Sequence, residues 1–227
     1  MIEKLKQDIQ ELANPERAEH NKYYFKTVKG EYGEGQVFLG LTMPQQREIA
    51  RKYKDLPLEQ VQALIESEIH TYRMIALVIL TLQYKKNQKE IFDFYIKNTQ
   101  YINNWDLVDV TAHKIVGEYL LDKDRSALYD LAKSSELWEK RISIISTFAF
   151  IRRGQLDNTI KIAEILLKDK HDLIHKAVGW MLREVGKNDK QTLTNFLDKY
   201  HKEMPRTMLR YSIERFTPEE RQFYMKK

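Results

Sequence analysis

The sequence has no cysteine, few chain breakers and no long apolar run. Its 227 residues include 8 glycines and 5 prolines, together about half of the share usual in globular proteins. The absence of cysteine excludes disulfide frameworks, thiol nucleophiles and Cys-ligated zinc or iron–sulfur sites. The scarcity of glycine and proline argues against an all-β sandwich or barrel, because such folds turn roughly every 8–12 residues. We therefore expect a helix-rich globular protein.

Membrane insertion is not expected from this sequence. No apolar run reaches the ~18 residues of a membrane span, and the start of the chain is amphipathic, without the apolar core of a signal peptide. We expect a cytoplasmic, monomeric protein with no membrane partner. The net charge of +5 permits nucleic-acid binding without requiring it, because the arrangement of the cations on the surface decides the matter.

Helical segments follow one another along nearly the whole chain. One or two helices are predicted over residues 1–26, interrupted near Asn14 and Pro15. The Gly-rich residues 27–41 form a predicted loop, and Thr42-Met43-Pro44 is typical of a helix start. We predict a single all-α domain over residues 1–227, with an N-terminal part at 1–41 and helical repeats at 42–227.

The repeats are predicted from the regular spacing of helices along the sequence. Core-like helices are expected to begin near five positions, namely Tyr72, Trp105, Trp138, Ile174 and Met204. Shorter, more polar helices lie between them, and four residues are their candidate caps: Asn87, Asp122, Asp157 and Asn188. Helix pairs repeating about every 30–40 residues indicate an α-solenoid of HEAT-like repeats with a concave surface. An irregular helical bundle with similar helix lengths is the alternative.

Several charged and aromatic residues occur at matching places in the predicted inner helices. Trp105 and Asp109 are four residues apart and so share one helix face. Lys176, Trp180 and Arg183 share a face of a later helix. Arg141 lies near the start of the helix between them, and Arg206 and Arg210 are four residues apart in the predicted last helix. Ordinary alternatives stay open: a packing role for each tryptophan, and a solvated or ion-paired role for Asp109 and the cations.

The histidines indicate no metal site. Only His171 and His175 have the spacing of four residues that ligands on a helix use, and no glutamate accompanies them as in a zincin helix. We interpret this pair as a feature of a helix start.

Five segments taken in order resemble one known family. They are Phe38–Pro44, Asn103–Asp109, Leu137–Arg141, Lys176–Glu184 and Met204–Thr207. Together they make the chain similar to the AlkD-type DNA alkylation repair glycosylases, which are built from HEAT-like repeats. The resemblance implies base excision of cationic N3- or N7-alkylated purines from double-stranded DNA by hydrolysis of the N-glycosidic bond, with no cofactor and no metal. It also implies that the lesion stays in the duplex, and that the protein is prokaryotic and works at the nucleoid.

The resemblance also implies roles for particular residues. Asp109 matches the catalytic aspartate, and Trp105 and Trp180 match tryptophans that touch the DNA at the lesion. The expected DNA contacts are Tyr24, Thr42, Arg141, Lys176, Arg183 and Arg206. Thr42 departs from relatives that have glutamine or a basic residue at this position, and the Gly-rich segment is longer than in well-known members.

Two other functions stay open from the sequence. A non-catalytic HEAT-repeat protein would bind distorted or branched DNA without using Asp109. A protein-interaction scaffold would have a groove without net positive charge.

Overall fold

Helices account for nearly all regular structure in the computed structural model, which describes residues 1–226. Those residues contain no strand, and the extended pairing between Val37 and Ile69 is an isolated parallel bridge. The all-α fold predicted from the sequence is confirmed. No helix among the described residues has both the length and the apolar character needed to cross a bilayer.

The chain divides into two compact units, Met1–Thr111 and Ala112–Lys227. The helices up to the boundary are α1 (Ile2–Glu11), α2 (Pro15–Tyr24), α3 (Met43–Lys52), α4 (Leu58–Ile65), α5 (His70–Gln83), α6 (Gln88–Lys97) and α7 (Trp105–Ala112). A 3₁₀ turn, Thr99–Tyr101, precedes α7. The boundaries of a single functional domain stay a prediction.

A π-helix, His113–Gly117, opens the second unit. The helices after it are α8 (Ser126–Lys133), α9 (Leu137–Ser146), α10 (Phe148–Ile151), α11 (Asp157–Ile165), α12 (Asp172–Asn188), α13 (Lys190–Tyr200), α14 (Arg206–Ser212) and α15 (Pro218–Met225). The core-like helices α5, α7, α9, α12 and α14 begin within two residues of the predicted positions.

Each unit has a buried helix around which its neighbours pack. In the first unit α5 packs against α3 and α4. Its run from Met74 to Leu80 is buried at every position, as expected for a helix that is apolar all round. In the second unit α12 packs against α9, α13 and α14, and α8 packs against α9. Shorter helices thus pair with core helices, as the spacing of helical segments in the sequence predicts.

The predicted helix caps are mostly wrong. Asn87 stands at the N-cap of α6 but its side chain makes no capping hydrogen bond, and Asp157 lies inside α11. Asn188 is the last residue of α12, and the neighbouring Asp189 caps α13 by accepting from the backbone N–H of Gln191 at 2.9 Å. A cap depends on which residue leaves the helical conformation, and a one-residue error in a boundary moves the cap to another side chain.

Candidate functional site

Trp105 is held at the first turn of α7 by buried amide groups. Its backbone N–H donates to the Asn104 side-chain oxygen at 2.8 Å. The Asn104 amide in turn donates to Gln36 Oε1 at 2.9 Å, and Gln36 Nε2 donates to the backbone carbonyl of Asn103 at 2.9 Å. Gln36 belongs to the Gly-rich segment, so this loop fixes the start of α7. Sequence reasoning missed this role of Gln36, because the pairing joins residues almost 70 positions apart.

Aromatic rings from the end of α2 and the residue after it surround Trp105. Phe25 stacks on Trp105 with centroids 5.3 Å apart and planes 22° apart. Tyr24 meets Trp105 edge-on at 5.8 Å and is 58% exposed. The resemblance implies a DNA contact for Tyr24, which stays a prediction, and the structure brings its ring to Trp105. Phe25 is an addition that the sequence pattern did not single out.

Asp109 lies one turn after Trp105 on α7, and both residues are half-buried. The four-residue spacing places both on one helix face. The neighbouring Tyr95 is completely buried, and its hydroxyl lies 3.0 Å from Thr111 Oγ1. Burial raises the pKa of Tyr95, and the Asp109 carboxylate acts in the same direction. A neutral Tyr95 therefore lies beside a carboxylate that retains access to solvent.

Thr42 has a structural role at the start of α3. Its hydroxyl accepts from the backbone N–H of Gln45 at 3.4 Å and its backbone N–H donates to Gln45 Oε1 at 2.8 Å, which completes a capping box. The predicted helix start at this position is confirmed. Contact of Thr42 with DNA stays a prediction.

We expect Thr42→Ala to lower the free energy of unfolding by about 1 kcal/mol, because the cap satisfies an otherwise unpaired helical N–H. Urea unfolding measures this cost, and Thr42→Ser is expected to retain most of the stability. Thr217→Ala is the matched control, since Thr217 forms the same capping box on α15. Unchanged stability of Thr42→Ala would contradict the capping role. A loss of DNA affinity in Thr42→Ala but not in Thr217→Ala would show that Thr42 also contacts DNA.

Trp180 belongs to an ordered cluster in the second unit. Its indole N–H donates to Glu184 Oε1 at 3.2 Å, and its ring lies 6.1 Å from that of Phe148. Phe148 also meets His113 edge-on at 5.5 Å. Glu184 is buried and accepts from Lys187 at 2.7 Å as well. The carboxylate of Glu184 thus fixes the orientation of the indole, a role that the sequence pattern did not indicate.

The cationic residues that are predicted to contact DNA already have hydrogen-bond or ion-pair partners within the protein. Arg141 is only 5% exposed and donates to the backbone carbonyl of Leu173. Lys176 pairs with Asp172 at 2.7 Å. These two residues therefore do not form a plain solvated face, and a phosphate would have to compete with the partners they have.

Arg183 and Arg206 also have partners within the protein. Arg183 forms an ion pair with Glu214 and lies 3.5 Å from Glu184. Arg206 is exposed at the start of α14, and its guanidinium donates to the backbone carbonyl of Met225 at 3.0 Å. Of these two, Arg206 has the greater solvent access for a phosphate contact.

The start of α12 is built around Asp169. Its carboxylate accepts from Lys140 Nζ at 2.8 Å and from the backbone N–H of His171 at 2.8 Å. His171 Nδ1 caps α12 by accepting from the N–H of Leu173 at 3.1 Å, and a ring nitrogen of His175 lies 2.6 Å from the Asp169 carbonyl. The interpretation of the two histidines as a helix-start feature is confirmed.

The titration of Asp169 is expected to control stability in acid. Burial acts to raise the pKa of Asp169, but the bonds from Lys140 and His171 outweigh it, so the pKa lies below its usual value. The stabilisation is therefore present above the unfolded pKa of about 3.9 and is lost as the pH falls through the lower folded pKa.

Asp169→Asn should destabilise the protein at neutral pH, with a difference from wild type that shrinks below about pH 4. Urea unfolding between pH 3 and 7 measures it. In a Lys140→Met background the same substitution should cost less, because the partner is absent. A difference that does not vary with pH would contradict this role of Asp169.

The π-helix after α7 is another feature that the sequence did not reveal. It spans five residues, His113–Gly117. The four-residue step from Trp105 through Asp109 reaches His113, the residue at which the regular helix gives way to the π-helix. Short π-helical segments are rare and frequently occur at functional sites. No single residue type in this stretch signals it.

Comparison with known proteins identifies relatives. The family model described as DNA alkylation repair enzyme matches residues 5–216. A solved structure, a predicted DNA alkylation repair enzyme from Enterococcus faecalis, has a similar fold with a TM-score of 0.73 and 18% identity. The similarity covers 91% of this chain and 97% of that one. No curated protein sequence matches this chain.

Proposed function

Because this chain belongs to the DNA alkylation repair enzyme family, we propose that it is a monofunctional alkylpurine DNA glycosylase of the AlkD type. The observation that carries the proposal is the shared face of Trp105 and Asp109 on α7, half-buried beside Tyr24 and Phe25. The substrate is double-stranded DNA with a cationic N3- or N7-alkylated purine. The reaction belongs to base excision repair.

The chemistry follows from the charge of the lesion. An N-alkylated purine is cationic, so it can leave with the electron pair of the C1′–N bond and become neutral without a general acid. Positive charge then develops on the sugar, and the Asp109 carboxylate stabilises it electrostatically. Water adds its oxygen to C1′ and loses its proton to Asp109 or to solvent. This route favours cationic lesions over neutral damaged bases such as uracil.

The remaining site residues have supporting roles in this proposal. The electron-rich face of Trp105 favours the developing cation, and Tyr24 contacts the DNA strand beside it. In the second unit Trp180, oriented by Glu184, contacts the DNA backbone and sugar. Phosphates would be bound by Arg206, and by Arg141, Lys176 and Arg183 once these three release their present partners. Such contacts make the affinity for DNA sensitive to salt.

The test is release of free base from a duplex with one 7-methylguanine. We expect the wild-type protein to release this base and to leave the strand intact until alkali cleaves the abasic site, as a monofunctional glycosylase does. A duplex with uracil at the same position is the control and should stay unchanged. A protein that binds the methylated duplex but releases no base would instead be a non-catalytic DNA-binding member of the family.

A further inference from the structure

The carboxylate of Glu184 is shared by the indole of Trp180 and two cations. Trp180 Nε1 donates to Glu184 Oε1 at 3.2 Å. Lys187 Nζ donates to both oxygens of the carboxylate, at 2.7 and 2.8 Å, and a terminal nitrogen of Arg183 lies 3.5 Å from Oε1. All four residues belong to α12, within the unit Ala112–Lys227. The hydrogen bond of the indole therefore ends on an anion whose counterions are known.

Glu184 is shielded from bulk water, whereas its main counterion is not. Glu184 is only 8% exposed, but the side chain of Lys187 is 43% exposed. Water screens an exposed charge more than a buried one, so the ammonium of Lys187 offsets the carboxylate only in part. Arg183 offsets it only in part as well, because Arg183 also forms an ion pair with Glu214. A net negative field therefore remains at the edge of the indole.

Orientation of the indole alone does not require a charged acceptor. An amide oxygen or a backbone carbonyl can accept the single indole N–H in the same geometry. A hydrogen bond to a carboxylate is stronger because it is charge-assisted, and it polarises the ring so that its faces become more negative. The negative face of an indole attracts cations. Trp180 is half-buried, so part of its surface is accessible to a ligand.

We propose that Glu184 sets the charge preference of this site: through the indole of Trp180, it makes the site favour a positively charged sugar over a neutral one. The inference rests on the proposed function, which places the sugar of the lesion at Trp180. It goes beyond that function because it assigns part of the preference to a buried carboxylate. Glu184 is a positioning residue, since it acts through Trp180 and not by contact with the substrate.

The two partners in the Glu184–Lys187 pair should act in opposite directions. Removing the charge of Glu184 should weaken the preference for a cation. Removing the charge of Lys187 should strengthen it, because the carboxylate then lacks its main counterion. A purely structural cluster would respond in one direction only, since the loss of either partner would loosen the indole.

Affinity for two abasic-site mimics tests the proposal without any reaction. The two duplexes differ in one residue, which is either a pyrrolidine ring that is cationic at neutral pH or a neutral tetrahydrofuran ring. The readout is the ratio of the two affinities, because a change in phosphate binding affects both duplexes alike. We expect wild type to prefer the cation. Glu184→Gln, which keeps the acceptor oxygen without the charge, should lower the ratio about fivefold, and Lys187→Met should raise it.

The exposed ion pair between Lys168 and Glu203 supplies matched controls in the same unit. Glu203→Gln and Lys168→Met remove the same charges and should leave the ratio as in wild type. The proton resonance of the Trp180 indole N–H reports the hydrogen bond directly. It should move upfield in Glu184→Gln and stay in place in Glu203→Gln.

Lys187→Met keeps the proposal testable if Glu184→Gln fails to fold, because Lys187 is partly exposed and its loss should not unfold the chain. Thermal unfolding verifies that each variant is folded. The proposal is overturned if wild type shows no preference for the cation, if a folded Glu184→Gln keeps the wild-type ratio, or if the ratio does not rise in Lys187→Met.

Base release from a duplex with one 7-methylguanine separates this proposal from the glycosylase proposal. A ratio that responds to both substitutions as expected, without base release, supports the role of Glu184 and overturns the glycosylase. Base release with a ratio that neither substitution alters overturns the role of Glu184 alone.

Discussion

Asp109→Asn is expected to lower the single-turnover rate of base release by about 10²–10³-fold, the usual cost of removing one preorganised electrostatic contact. Asparagine has nearly the same shape but no negative charge. It therefore cannot stabilise the positive charge that develops on the sugar as the C1′–N bond breaks. It is also a poor base for the attacking water.

The control for this prediction is Asp93→Asn, which removes an exposed carboxylate in the same unit and should leave the rate unchanged. Binding to methylated duplex is measured alongside, because loss of one carboxylate near DNA should not weaken association. Thermal unfolding verifies that the variant is folded. A variant that is folded, binds DNA and releases base at the wild-type rate would exclude Asp109 from catalysis.

The second large effect is expected at Gly179, where α12 approaches α14. A Cβ atom at this position would lie 2.6 Å from the Met208 carbonyl oxygen and 2.5 Å from the Tyr211 Cβ. Both atoms are on or next to the backbone and cannot rotate away. We therefore expect Gly179→Ala to reduce the free energy of unfolding by about 3 kcal/mol, the upper part of the range for overpacking.

Gly186→Ala on the same helix is the matched control. Its Cβ would meet Leu193 Cδ2 at 2.4 Å, but that methyl group is the end of a flexible side chain. The higher helix propensity of alanine, about 1 kcal/mol over glycine, should offset most of the clash. Urea unfolding compares the two variants. Equal costs would show that the close backbone approach at Gly179 does not decide stability. If the glycosylase proposal holds, Gly179→Ala should also slow base release, because Trp180 is the next residue.

The positions of the core helices were predictable because their signals are local. Apolar periodicity and the Thr42-Met43-Pro44 start depend on residues a few positions apart, and the structure agrees at α3 and at the core helices. The spacing of Trp105 and Asp109 is local in the same sense. The caps were less predictable, because they depend on single-residue boundaries.

The environment of the cations was not predictable. The sequence pattern shows Arg183 as one more positive residue on a helix, whereas the structure pairs it with Glu214, which follows α14. Arg141 has the same formal charge but is buried against the Leu173 carbonyl. A count of charges does not reveal which carboxylates and carbonyls fold onto them.

The sequence by itself determined an all-α fold, the approximate starts of its core helices, and the shared helix face of Trp105 and Asp109. The tertiary structure alone decided which rings surround Trp105 and which cations are already paired. The reason is physical. Helix formation and four-residue spacing depend on neighbours along the chain, whereas burial and hydrogen-bond partners depend on segments 30 to 70 residues apart that meet only in the folded protein.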